Sequence, residues 1–111
     1  MNQFVRLTDY RQHRRGTYFT RQELGQILNV YSRRVATGEW RDYAIDHDGA
    51  MAIFSIFRHT HETPLYAIAK CSRGPQRPID YILFNGPRKL RRAGTLAELL
   101  DAFDRKLKLV T

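Results

Sequence analysis

The 111-residue chain predicts an α+β fold: a single antiparallel sheet of four to five strands, a meander, flanked by an N-terminal and a C-terminal amphipathic helix. Three observations lead there. Apolar residues recur at three- and four-residue steps in two segments, one early and one late. Between those segments the period falls to two. Gly, Pro, Asn and Asp interrupt the alternating region at short intervals, as turns between strands require.

The first helix starts at Thr20. Thr20-Arg21-Gln22-Glu23 has the capping-box form, in which the Thr20 hydroxyl accepts from the Glu23 amide and the Glu23 carboxylate accepts from the Thr20 amide. Phe19 and Leu24 take the staple positions. Leu24, Ile27, Leu28, Tyr31 and Val35 form one apolar stripe ending near Gly38, and Arg33 and Arg34 lie off it. The second helix repeats the logic, with Thr95-Leu96-Ala97-Glu98 as a capping box and Leu96, Leu99, Leu100, Phe103 and Leu107 on one face. Each cap contributes about 1 kcal/mol. Both stripes need a surface to cover.

The strands follow in order. Tyr43 and Ile45 alternate with Asp42 and Asp46 before Asp48-Gly49, a tight-hairpin signal. Met51 to Phe57 is almost wholly apolar and reads as a central strand with one face under the helices and the other at least partly covered. After a turn over His59 to Pro64, Leu65 to Cys71 is the third strand, Ser72 to Pro78 a loop and Ile79 to Phe84 the fourth strand. Asn85-Gly86 asks for another tight turn, against which Pro87 stands. Arg88 to Ala93 pairs as a short basic edge strand, where charge discourages edge-to-edge aggregation.

With 42% hydrophobic and 27% charged residues, the chain fits one ordinary domain over residues 18–111, preceded by a flexible basic arm over residues 1–17. A chain of this length buries roughly 60 to 70% of its unfolded surface and needs neither disulfide nor metal to fold. The lone cysteine, Cys71, has no internal partner, so a reduced, cytoplasmic setting is expected. No apolar run reaches spanning length, and no membrane association is expected.

Glu23-Leu24-Gly25-Gln26-Ile27-Leu28-Asn29 and Gly38-Glu39-Trp40-Arg41-Asp42-Tyr43-Ala44-Ile45-Asp46 resemble a family of short uncharacterised bacterial proteins, classed as a domain of unknown function. Phe54-Ser55-Ile56-Phe57-Arg58 and Pro64-Leu65-Tyr66-Ala67-Ile68 extend the resemblance to about residues 18–103. It implies kinship and supplies no catalytic or ligand residue.

Charge is segregated. The net charge of +8 resolves into +4 over residues 1–21, −2 over 22–69 and +6 over 70–92, with the remainder neutral. Gly86-Pro87-Arg88-Lys89-Leu90-Arg91-Arg92 holds four cations in five residues. Together with Arg73, Arg77 and the arm residues Arg14 and Arg15, this cluster is the candidate site for nucleic-acid phosphates, bound without base readout. The alternative is a protein-interaction or regulatory module that docks an acidic partner or a second copy of itself.

Catalytic constellations are thin, and no enzyme activity or cofactor is expected. His59, His61 and Glu62 offer metal-ligand chemistry, but one-residue spacing in a loop lacks the usual second ligand pair, and a polar turn explains them. Cys71 as a nucleophile competes with its reading as a small buried strand residue. Asp46 and Asp48 as an acid pair compete with turn chemistry. Gly86-Pro87-Arg88-Lys89 lacks the second Gly and the following hydroxyl of a phosphate loop. Trp40 is read as a core plug rather than a partner anchor, and Tyr66 and Tyr81 as core packing rather than base-stacking platforms.

Overall fold

Thr20 and Glu23 close the expected capping box: the Glu23 amide donates to Thr20 Oγ1 at 3.0 Å and the Thr20 amide donates to Glu23 Oε1 at 2.8 Å. In the computed structural model, which describes residues 16–59, 63–74 and 76–110, helix α1 (Arg21–Ala36) starts there and stops at Thr37, just before Gly38 at φ 80°. Five strands follow: β1 (Asp42–Asp48), β2 (Met51–Phe57), β3 (Tyr66–Cys71), β4 (Asp80–Asn85) and β5 (Arg88–Ala93). Helix α2 (Leu96–Val110) completes the order, with the Glu98 amide donating to Thr95 Oγ1 at 3.2 Å. The fold is α+β, and the sheet is an antiparallel meander in the order β1-β2-β3-β4-β5.

Turn chemistry differs from expectation at two hairpins. Asp48 pairs with Met51, so the central turn residues are Gly49 and Ala50 rather than Asp48 and Gly49. Asn85 pairs with Arg88 across Gly86 and Pro87, so Pro87 closes the turn instead of opposing it. The reason is sterics. Gly86 adopts φ 60°, and a positive φ followed by the negative φ that proline imposes is the pattern of a type II′ turn, whose twist suits a hairpin.

Both helices cover the same face of the sheet. Ile27, Val30 and Tyr31 from α1 and Leu96, Leu99, Leu100, Phe103 and Leu107 from α2 bury against Phe54, Ile56, Ile68 and Leu83. Trp40 is 3% exposed, with Tyr31 stacked at 5.9 Å and Phe103 at 5.7 Å between ring centroids. Tyr66 meets Phe103 edge-on at 4.9 Å. Trp40, Tyr66 and Tyr81 are therefore core residues. Leu28 is half-buried against the core, whereas Val35, at the end of the stripe, is exposed, as are the edge-strand residues Tyr43 and Ile45. Arg33 lies off the stripe as expected. Arg34 does not behave as a free surface cation, because its half-buried side chain pairs with Glu39 at 3.3 Å.

One polar group sits inside the apolar layer. Lys70, 9% exposed on the central strand, donates to Glu23 Oε1 at 2.7 Å and to the Tyr18 carbonyl at 2.8 Å. The Tyr81 hydroxyl donates to the other Glu23 oxygen. Burial raises the Glu23 carboxyl, but the hydrogen bonds from Lys70, Tyr81 and the Thr20 amide, with the Lys70 charge, outweigh it and hold the group below its ordinary value. Burial and the Glu23 hydrogen bond push the Tyr81 phenol up. One carboxylate thus caps α1 and ties it to β3 and β4.

Candidate functional site

The basic cluster lies on β5, and the pleat divides it. Ile82 opposes Arg92 and Phe84 opposes Lys89, on the face away from the helices. Buried Leu83 opposes Arg91, and Asn85 opposes Arg88, on the helix side. A bulge between Leu83 and Phe84 fits Leu90 in as the extra residue, and its side chain packs against the core. The four cations are therefore one edge but two rows, not one flat patch. Arg73 and Arg77 belong to the β3–β4 loop, near the end of the edge where Ala93 pairs with Tyr81. Arg14 and Arg15 lie outside the described residues.

Asp80 sorts these cations further. Its Oδ2 pairs with Arg92 at 2.7 Å and with Arg73 at 3.3 Å, and the Arg92 hydrogen bond holds the carboxyl below its usual range. Arg77, Arg88, Lys89 and Arg91 are exposed and have no acidic partner among the described residues. The last three follow one another on a strand whose six residues span about 20 Å. Over that length a duplex presents about 12 phosphate charges.

The other candidates are spread over β1, β3 and the turn after β2. Burial, and then Asp80, push the Cys71 thiol above its ordinary value, the opposite of what a nucleophilic thiolate requires. His59 is exposed, while His61 and Glu62 lie outside the described residues. Among the described residues no group of three His, Cys, Asp or Glu side chains gathers as a ligand set. Asp46 and Asp48 are exposed on β1, both on the face away from the helices. A cleft of about 840 Å³ opens where α1 ends, between Val35, Glu39, Arg41, Arg58 and Leu65. No described helix is long and apolar enough to cross a membrane.

The features that sequence reasoning missed come from pairing. Asp80 as the partner of both Arg73 and Arg92 follows from its position opposite Cys71 at the β3–β4 loop, which only the register reveals. The division of the basic run also depends on the register, because the bulge at Leu90 breaks simple alternation and puts Arg91 on the helix side and Arg92 on the other.

Residues 17–100 match the family model described as Protein of unknown function (DUF2794), and the chain belongs to that family. No curated protein and no solved structure matches.

Proposed function

We propose that this member of the DUF2794 family is a non-catalytic binding protein that holds nucleic-acid phosphates along its β5 edge. The observation that carries the reading is an edge of exposed cations without acidic partners among the described residues: Arg88 and Arg91 on one side of it, Lys89 on the other, extended by Arg77. Arg73 and Arg92 contribute less because Asp80 already neutralises part of their charge. Contacts of this kind fix position and carry no base identity, so affinity is electrostatic and falls with salt.

The test is fluorescence anisotropy of labelled single-stranded and duplex DNA and RNA across a salt series. Four contacting cations give a log–log salt slope of about −3.6 on duplex DNA, and Arg88→Ala with Arg91→Ala flattens it by about 2 units. No binding even at low salt, or a slope that the double variant leaves unchanged, would exclude phosphate contact through this edge.

A further inference from the structure

The sheet face away from the helices carries its own pattern. Read across the five strands, one row is Asp46, Ile53, Ala69, Ile82, Arg92: acid, apolar, small, apolar, base. The neighbouring row is Ala44, Ser55, Ala67, Phe84, Lys89. Asp42 and Asp48 extend the acidic edge on β1, and Met51 and Phe57 flank the rows on β2. Ile53, Ile82 and Phe84 are half-buried, and no described helix covers them. The small residues of β3 leave a trough of about 330 Å³ between the taller side chains of β2 and β4.

We propose that a second copy of this chain docks on this face, about a two-fold axis running along β3. The first row has the symmetry that such an axis demands. Rotation about β3, the middle strand of the five, sets β1 over the partner copy's β5 and β2 over its β4. Asp46 then meets Arg92 twice, beside the Asp80 that Arg92 already pairs with, Ile53 meets Ile82 twice, and Ala69, 1% exposed between its taller neighbours, lies on the axis. Aligned sheets pack about 10 Å apart with strands crossing at about −30°, which long side chains such as Arg92 span easily.

Size is consistent with a reversible contact. Five strands about 4.8 Å apart and about 20 Å long give a planar footprint of about 480 Å² per copy. The pair therefore buries about 1,000 Å², near the lower limit for a specific interface. Edge-to-edge pairing of acidic β1 with basic β5 uses the same charges, but it buries no apolar surface and does not close, so it would build open arrays. Arg88 and Arg91 lie on the helix side and stay accessible in the two-fold pair, whereas Lys89 and Arg92 lie on the docked face, so phosphate contact through Arg88 and Arg91 is compatible with it.

Sedimentation velocity of the full chain, with reductant present and over about 2 to 500 µM, tests it. A monomer–dimer equilibrium is expected. Asp46→Arg alone and Arg92→Asp alone each weaken dimerisation at least about tenfold by opposing like charges twice, and mixing the two variants restores a dimer. Ile53→Lys, on a half-buried position that faces no helix, abolishes the dimer while circular dichroism and the thermal midpoint stay near wild type. Monomer at every concentration overturns the proposal. So do assemblies that grow beyond the dimer, an unchanged dimer in Ile53→Lys, or single charge variants that the mixture fails to rescue.

Discussion

Replacing Lys70 by Met removes the cation from beneath α1 while keeping most of the side-chain volume. Two hydrogen bonds vanish, those to Glu23 and to the Tyr18 carbonyl. Hydrogen bonds to charged groups contribute about 1.5 to 3 kcal/mol each, and a buried carboxylate left without its cation adds a desolvation cost. The Thr20 amide and the Tyr81 hydroxyl still hold Glu23, which moderates that cost. The expected loss is about 3 kcal/mol at pH 7. Glu23→Gln combined with Lys70→Met leaves no unpaired charge, so the double variant recovers about 2 kcal/mol relative to the sum of the singles. Protonation supplies an independent check. In the wild type the Glu23 carboxyl is held below its ordinary value, so its stabilisation is complete above that value and is lost as pH falls through the lowered one. Without Lys70 the carboxyl titrates higher, and its neutral form tolerates burial. The gap between variant and wild type therefore narrows from pH 7 toward pH 4. Urea unfolding followed by the fluorescence of Trp40, the single tryptophan, measures both quantities. A loss under about 1 kcal/mol at pH 7, or a gap that stays constant with pH, would show that Lys70 does not compensate the Glu23 charge.

Phe103→Ala removes a ring that contacts Trp40 and Tyr66 and is 1% exposed; it costs about 3 to 5 kcal/mol by chemical denaturation. Leu28→Asp places an unpaired charge against the core and prevents cooperative unfolding from being observed, since the domain no longer folds. Arg34→Asp replaces the partner of Glu39 with a like charge and costs about 1 kcal/mol in the same assay. Gly86→Ala forces a side chain onto a φ of 60° and lowers stability by about 1 kcal/mol, with the loss visible as a lower urea midpoint.

Helices and strands were legible because their signals are local. Thr20 with Glu23 and Thr95 with Glu98 announce helix starts within four residues, and the apolar stripes name the faces that bury. Basic β5 was legible as an edge because no interior strand tolerates four cations. The remaining misreadings concern partners and turn geometry that only the folded chain supplies. Lys70 reads as an ordinary polar residue near a strand end until α1 brings Glu23 over it, 47 positions away in the chain. Arg34 looks solvated until the turn after α1 returns Glu39 to it. Pro87 misled because its missing amide suggests a broken hairpin, whereas the second turn position after Gly86 needs only the φ that proline already has. The basic run suggested one patch because a sequence is a line, and alternation sends neighbouring cations to opposite faces.

Trp40 is enclosed by Tyr31 from one end of the domain and Phe103 from the other. Each hairpin of the meander joins neighbours in the chain and closes a short loop, so all five strands have been synthesised before the residues of α2 appear. Without α2 the sheet carries Phe54, Ile56, Ile68 and Leu83 with only α1, among the described helices, to shield them. The roof is finished when Phe103 and Leu107 clear the ribosome. A stop codon before α2 would release an open, apolar sheet, a substrate for chaperones and proteases.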